Sequence, residues 1–329
     1  MPYATVLLVL IWLALAAYAV FAGADFGAGI LDLLAGRGPA GRDRRELIAH
    51  VVGPVWEANH VWLIFVLVLL WTGFPGVFAA IASTLYVPLT VVAFGIIGRG
   101  AAFAFRKAAT TPRLHRLFGL VFAGSSLLTP FFLGAVAGAV AAGRVPPGVA
   151  AGAVLGSWLN LGGVFTGVLA VAACAYLAAV YLCADARRTG RRDLAEHFRR
   201  RALAAGVGTG ALSLLGLAVA RSDAPALAYG LVHRGLPWTV AAVAAGTVAL
   251  VLLARRYYLA ARVAGAAAVG AVLSGWGAAR CPDLLPGLTA AAAQAPDATL
   301  RAMLIVTAAG LALLAPALLL LFRLFQGRA

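Results

Sequence analysis

Long runs of apolar residues, separated by short polar connections, follow one another along the whole chain. A helix of about 20 mostly apolar residues is long enough to cross a bilayer. By this criterion the pattern predicts nine membrane-spanning helices, with no repeat at a fixed period and no linker that would divide the chain. The predicted spans are residues 4–35, 50–72, 76–98, 117–142, 153–184, 203–220, 237–254, 258–277 and 301–324.

The composition of the chain supports this interpretation. Apolar residues make up 63% of the 329 residues and charged residues only 11%, whereas an ordinary soluble domain is about a quarter charged. We therefore predict an all-α, polytopic integral membrane protein in which residues 1–329 form one transmembrane domain. The three cysteines, Cys174, Cys183 and Cys281, show no disulfide or metal-site spacing, and Cys174 and Cys183 are predicted to be small core residues.

Basic residues are distributed unequally between alternate loops. Of the 26 lysines and arginines, 21, including Arg99, fall in one set of predicted loops and span ends, and 5 fall in the other. By the positive-inside rule this places the N-terminus outside and the C-terminus in the cytoplasm. The net charge of +15 is thus interpreted as a topology signal and not as a nucleic-acid surface. Residues 186–201 are predicted to form a basic helical extension, and residues 281–300 an ordered crossover.

Most of the 11 acidic residues lie in predicted loops or at span ends, but Asp25 and Glu57 do not. At 1.5 Å per residue, Asp25 lies roughly 15 Å and Glu57 roughly 10 Å inside their helices, both counted from the predicted cytoplasmic side. Asp32 follows Asp25 by seven positions and shares its helical face. A carboxylate facing lipid near the bilayer centre costs about 2.5–3.5 kcal/mol, so both acids should face protein or water.

Two roles are open for these acids. A carboxyl group that holds and releases a proton can be part of a proton relay, whereas a neutral carboxyl group can simply hydrogen-bond a neighbouring helix and stabilise packing. Two acids on consecutive helices, both approached from the same side, favour the relay. Asn59 and His60 lie on the same arc of the second helix as Glu57 and are further candidates for that path.

Haem or metal binding is the other reading of His60. A bis-histidine haem site needs two axial ligands at depth on facing helices, and the other four histidines lie in loops or near span ends. We therefore predict that this chain binds no haem, metal or other cofactor.

Four stretches of the sequence resemble one family. "YAVFAGADFGAGILDLL" and "GPVWEANHVWLI" resemble the first-helix pattern and second-helix signature of subunit II of cytochrome bd-type quinol oxidases. "IGRGAAFAFR", with Arg99 and Arg106, resembles the end of its third helix, and "CPDLLPG" through "DATLRAML" its last crossover and ninth helix. Acids that the family often carries are replaced here by Ala22 and Ala104.

This resemblance implies a fold and a partner. The expected fold is two four-helix bundles plus one peripheral helix in the bacterial inner membrane. The chain would be the haem-free companion of subunit I, which carries haems b and d and the quinol site. The complex would oxidise quinol and reduce dioxygen to water with cytoplasmic protons, for which Asp25 and Glu57 would form part of the path. A small accessory subunit and membrane lipid or quinone are the further partners implied.

Other hypotheses remain open at this point. Buried carboxylates alone also fit a proton-coupled secondary transporter, although such transporters often show broken helices and internal repeats, which the sequence does not reveal. A purely structural scaffold would use the two acids only as bonding partners. Arg99 is interpreted as an ordinary cytoplasmic charge, with contact to a quinone or a lipid headgroup as its alternative.

Overall fold

The computed structural model describes residues 2–52 and 56–326, with the side chains of residues 2, 52, 56–58, 107, 315, 318, 319 and 321–326 outside the description. The described chain is almost entirely helical. Its helices are α1 (Pro2–Leu33), α2 (Gly38–Val52), α3 (Trp56–Gly73), α4 (Pro75–Thr84), α5 (Tyr86–Ala108), α6 (Pro112–Ala141), α7 (Leu161–Arg188), α8 (Arg192–Asp223), α9 (Pro225–Val232), α10 (Leu236–Ala254), α11 (Tyr258–Arg280), α12 (Ala290–Ala293) and α13 (Asp297–Gln326). Two short antiparallel strands, β1 (Asp283–Leu285) and β2 (Leu288–Thr289), form a hairpin.

The number of spans agrees with the prediction. Eight of the described helices are long and apolar enough to cross a membrane, and the pair α3 and α4 passes the same test as one bent unit, which gives up to nine spans. The all-α, polytopic architecture is thus confirmed. The predicted ordered crossover at 281–300 contains the β1–β2 hairpin and α12.

The predicted third span, residues 76–98, is wrong. The chain turns by 119° between α3 and α4, and the span itself is α5, which begins only at Tyr86. Pro75 occupies the first turn of α4, where its missing N–H costs nothing, and a residue before proline is disfavoured in the helical conformation. Phe74 accordingly leaves it, with φ −138° and ψ 64°.

Two further boundaries differ from the prediction. The second span was expected to begin at residue 50, but residues 38–52 form the separate, largely polar helix α2. The fifth span was expected from 153, but α7 begins at Leu161 because Asn160 caps it, its side chain accepting a hydrogen bond from the Gly163 N–H. The basic helical extension predicted at 186–201 is confirmed only from Arg192, where α8 begins and continues into the sixth span without interruption; residues 189–191 form the turn after α7.

The helices pack as two groups and a peripheral member. The first group is α1, α3, α5 and α6, in which α1 packs on α3 and α6, and α5 packs on α6. The second is a closed ring in which α7 contacts α8, α8 contacts α10, α10 contacts α11, and α11 returns to α7. Helix α13 lies outside both and touches α1 and α3. These are the two four-helix bundles and the peripheral helix that we expected.

One end of the molecule is rich in arginine, and we call it the arginine-rich end. It comprises helix α2, the C-terminal turns of α1, α5 and α7, and the N-terminal turns of α6 and α8. Its arginines include Arg42, Arg44, Arg45, Arg106, Arg113, Arg188, Arg191, Arg192 and Arg201.

The two bundles meet where α1 lies against α7, and small residues allow this approach. A β-carbon added at Gly27 of α1 would lie 1.8 Å from the Cys174 backbone oxygen of α7. Membrane helices often associate through such small residues, which let their backbones pack closely. Cys174 and Cys183 of α7 are buried, as predicted for small core residues.

We expect Gly27→Ala to destabilise the protein by about 1–3 kcal/mol, because the new methyl group can be accommodated only by moving backbone. The matched control is Gly246→Ala in α10, where an added β-carbon meets nothing within 4 Å. Thermal unfolding of the detergent-purified variants measures both effects. Equal unfolding temperatures for the two variants would contradict the close packing of α1 on α7.

Candidate functional site

Helices α1 and α5 carry opposite charges in matching positions. Asp25 and Asp32 lie seven residues apart on α1, and Arg99 and Arg106 lie seven residues apart on α5. Arg99 pairs with Asp25, and Arg106 pairs with Asp32. Because seven residues are close to two helical turns, the two ion pairs form successive rungs, roughly 10 Å apart, along one interhelical seam.

In the inner rung, which is the pair of Arg99 with Asp25, both carboxylate oxygens accept hydrogen bonds from the guanidinium. Arg99 donates from Nη1 to Asp25 Oδ2 and from Nη2 to Asp25 Oδ1, both at 2.7 Å, and from Nη2 to the Asp25 backbone oxygen at 3.0 Å. Its Nε donates to the Ser126 hydroxyl of α6 at 3.0 Å. The Ser126 hydroxyl in turn donates to the Phe122 backbone oxygen at 2.7 Å. Three helices are thereby joined through one guanidinium group.

Burial makes this pair consequential for stability. Asp25 is 4% and Arg99 2% exposed, and the guanidinium lies over the rings of Phe26 and Phe122, 5.2 and 4.8 Å from their centroids. Charges in a low-dielectric interior are tolerated only when they are paired and well hydrogen-bonded. The bidentate geometry is the strong form of such a pair.

The outer rung lies nearer to solvent and is looser. Arg106 approaches Asp32 at 3.4 Å, and Arg45 of α2 approaches its other oxygen at 3.8 Å. The two arginine side chains are 22% and 32% exposed. The Asp32 side chain itself is only 8% exposed, so longer contacts and partly exposed partners distinguish it from Asp25, and not its own burial.

Helix α3 adds polar groups beside the inner rung. Asn59 is buried, and its amide donates to the Phe21 backbone oxygen of α1 at 3.4 Å. The His60 ring lies 6.1 Å, between centroids, from each of the rings of Tyr18 and Phe26. The predicted polar arc of this helix therefore faces α1 at Asn59 and His60. The side chain of Glu57 lies outside the part of the chain that the structure describes.

The interpretation of Arg99 as a cytoplasmic surface charge is wrong. The residue lies within α5 and is one of the most completely buried large side chains among the described residues. The apolar run was assumed to end before it, whereas α5 continues to Ala108. The loop between α5 and α6 is correspondingly shorter than predicted.

Sequence reasoning also missed Tyr18 and Ser126. Tyr18 precedes Asp25 by seven residues, so it continues the line of Asp32 and Asp25 deeper along α1, and it is 5% exposed. That spacing was available in the sequence as a signal. Ser126 carried no signal, because its importance depends on the position of Arg99.

The described residues contain no group of three or more His, Cys, Asp or Glu side chains that could hold a metal ion. The polar groups on and beside this seam are the Arg99 guanidinium, the Ser126 and Tyr18 hydroxyls, the Asn59 amide and the His60 imidazole. This set suits hydrogen bonding and proton exchange along the seam.

Comparison with known proteins gives consistent results. The profile of the family described as "Cytochrome bd terminal oxidase subunit II" matches residues 3–325. A solved structure of the bd oxidase from Geobacillus thermodenitrificans contains a similar chain, with a TM-score of 0.75 and 25% sequence identity over 99% of both chains.

Two curated relatives match over shorter stretches. Cytochrome bd ubiquinol oxidase subunit 2 of Bacillus subtilis is 35% identical over 112 residues, which are 34% of this chain and 32% of that protein. Cytochrome bd-I ubiquinol oxidase subunit 2 of Escherichia coli K12 is 28% identical over 129 residues, 39% of this chain and 33% of that protein. The matched stretches thus span about a third of the length of these relatives.

We expect Asp25→Asn to destabilise the fold by about 3–5 kcal/mol, because it leaves the buried Arg99 guanidinium without a compensating charge. The double variant Asp25→Leu with Arg99→Met should be more stable than Asp25→Asn, since it removes both charges. Asp43→Asn, at an exposed position of α2, is the matched control. Unfolding temperatures in detergent would decide, and a double variant no more stable than Asp25→Asn would argue against the pair.

Proposed function

Because this chain belongs to the cytochrome bd terminal oxidase subunit II family, we propose that it is the haem-free subunit of a quinol oxidase. Its partner would be a haem-bearing subunit I, whose haems b and d would supply the centre where dioxygen is reduced to water. The chain would not be catalytic alone. A small accessory subunit and membrane lipid or quinone are further proposed partners.

The location we propose is the bacterial cytoplasmic membrane, with the N-terminus outside and the C-terminus in the cytoplasm. The unequal distribution of arginine supports this orientation, because positively charged loops remain on the cytoplasmic side. When the buried Arg99 is left out of the count of cytoplasmic basic residues, the excess of positive charge stays on the same side. The arginine-rich end, with the outer rung at Asp32, would then face the cytoplasm.

The function we propose for the seam between α1, α3 and α5 is proton delivery from the cytoplasm toward the partner. The single observation that supports it best is the change of partners along the seam: buried Asp32 meets two partly exposed arginines, whereas both members of the Asp25 pair are buried. Intramembrane ionisable groups are rare and usually mark ion or proton pathways. A seam used only for packing would not need acids at graded depth.

Glu57 is the group that we expect to carry the exchangeable proton. Both oxygens of Asp25 accept hydrogen bonds from Arg99, so Asp25 can take up a proton only if Arg99 gives up part of its contact. Glu57 stands one helical turn before His60 on α3, and Asn59 and His60 would hold the hydrogen-bonded groups and water between it and α1. Asp25 would then act mainly as the fixed countercharge of Arg99.

We expect a tagged form of this chain, extracted from its native membrane in mild detergent, to co-purify with a second polytopic subunit. The dithionite-reduced visible spectrum of that sample should show b- and d-type haem bands. Mass spectrometry identifies the partner. A colourless chain that purifies alone, under conditions in which other respiratory complexes remain assembled, would count against the oxidase role.

We expect Glu57→Gln to slow quinol-driven oxygen consumption by about tenfold or more, because the amide cannot pass a proton on. The haem content and the amount of assembled complex should stay close to those of the unmodified protein. Oxygen uptake with an excess of reduced quinol, normalised to haem absorbance, is the measurement.

The matched control is Glu46→Gln on α2, where the side chain is 70% exposed and pairs only with Arg191, at 3.5 Å, among the described residues. Its oxygen consumption should be unchanged. Normal turnover in Glu57→Gln would remove Glu57 from the path. Loss of haem and of assembled complex, with normal oxygen uptake per remaining haem, would favour the structural-scaffold hypothesis.

A further inference from the structure

The proposed proton path leaves one buried hydroxyl group beside the seam unused. Tyr18 of α1 is 5% exposed, and its hydroxyl oxygen is buried without a hydrogen-bond partner among the described residues. A buried donor without a partner destabilises a fold, and most buried polar side chains in native proteins are paired. Phenylalanine would fill the same space without this cost, so packing does not explain the hydroxyl.

Apolar side chains surround most of Tyr18. Its buried cluster also contains Ala22, Phe26, Ile30 and Cys174, and Trp62 and Leu63 are among the partly buried residues packed against it. The Cys174 thiol is only a weak hydrogen-bond acceptor. Because the hydroxyl is buried, its partner has to be a neighbouring side chain that can move towards it, and not a molecule from solvent.

The polar groups of the inner rung are engaged elsewhere. Both oxygens of the Asp25 carboxylate accept hydrogen bonds from Arg99, and the third guanidinium nitrogen donates to a serine of α6. The amide of Asn59 donates to the backbone of α1. Among the described side chains next to Tyr18, the His60 imidazole is therefore the polar group best placed to bond its hydroxyl.

The rings of Tyr18 and Phe26 flank the His60 imidazole. Each ring centre lies 6.1 Å from that of the imidazole. The two aromatic residues stand eight positions apart on α1, roughly 12 Å along the helix axis, so the imidazole lies between them. Rotation of the imidazole in this position can bring a ring nitrogen within hydrogen-bond distance of the phenol oxygen, about 2.9 Å.

We propose that Tyr18 is a positioning residue for His60, an inference that rests on the proton path proposed above. When the imidazole turns, the Tyr18 hydroxyl donates a hydrogen bond to one of its nitrogens. A neutral imidazole has one donor and one acceptor nitrogen, and the bond made by one nitrogen decides which of them carries the proton. The hydroxyl thereby fixes the orientation in which His60 passes a proton on, and Tyr18 itself neither gains nor loses one.

Tyr18→Phe removes the hydroxyl and keeps the ring. We expect oxygen consumption per haem of the assembled complex to fall about fivefold, roughly the effect of one hydrogen bond on a rate. The solvent deuterium isotope effect on that rate should rise, because proton transfer becomes more limiting. The unfolding temperature should stay the same or increase, since an unpaired buried hydroxyl is lost. Slower turnover in a protein that is no less stable separates positioning from packing.

The matched control is Tyr176→Phe in α7. Tyr176 is also 5% exposed, and its hydroxyl is likewise buried without a partner among the described residues. It packs in the second bundle, where β-carbons added at Gly206 and Gly265 would meet its side chain. Tyr176→Phe should therefore match Tyr18→Phe in stability, while its oxygen consumption stays unchanged.

A double-variant cycle tests whether Tyr18 acts through His60. His60→Gln should slow turnover, because the amide cannot pass a proton on, and adding Tyr18→Phe to it should cause no further loss. Multiplied effects would mean that Tyr18 acts apart from His60 and would overturn the proposal. If His60→Gln does not assemble, the isotope effect in Tyr18→Phe decides, and an unchanged value counts against positioning.

The Glu57→Gln variant separates this inference from the proposed path itself. Normal oxygen consumption in Tyr18→Phe with slow turnover in Glu57→Gln would remove Tyr18 and leave the path, and normal turnover in both would remove both. Slow turnover in Tyr18→Phe with normal turnover in Glu57→Gln would support Tyr18 and remove only Glu57. Equal slowing in Tyr18→Phe and Tyr176→Phe would overturn the proposal, because any change in core packing would then suffice.

Discussion

The ion pair between Arg99 and Asp25 is the interaction on which the first bundle depends. A guanidinium at this depth must find an anion and further acceptors, and among the described side chains α1 and α6 supply them, through Asp25 and Ser126. This requirement brings the helices close together: a β-carbon added at Gly29 would lie 2.1 Å from the Ser126 hydroxyl oxygen. The register of α1 against α5 and α6 is therefore set by polar contacts, while apolar packing fills the space around them.

The constant offset between the two helices extends this register along the seam. Each acid of α1 pairs with the arginine 74 positions later in the chain, and the pairs differ chiefly in depth. At the inner rung, water is excluded and the charges are locked together. At the outer rung, a second arginine from α2 competes for Asp32, and solvent reaches the two arginines more than it reaches the acid. In the role proposed for this seam, the outer end would exchange protons and the inner end would hold a fixed charge pair.

The sequence predicted part of this arrangement for physical reasons. Isolated acids in apolar helices must be buried against protein, so the surroundings of Asp25 were predictable, and hydropathy sufficed for the number of spans. The partner of Asp25 was not predictable, because an arginine near a span end looks the same whether it faces solvent or a distant helix. The turn at Phe74 was hidden for a related reason: the residues on both sides of it are apolar, and only Pro75 marks the change of direction.

The broken pair α3 and α4 bears on the choice between an oxidase subunit and a transporter. Transporters use unwound helices near the middle of the membrane, where free carbonyl groups bind substrate or ions. Here the break follows Asn59 by 14 residues, roughly 21 Å along the helix, and Phe74 at the turn is fully buried. The Gly73 oxygen accepts a hydrogen bond from the Ala295 N–H at 2.8 Å. Because this carbonyl is already bonded and distant from the acids, the turn is better explained as a fixed corner than as a binding site.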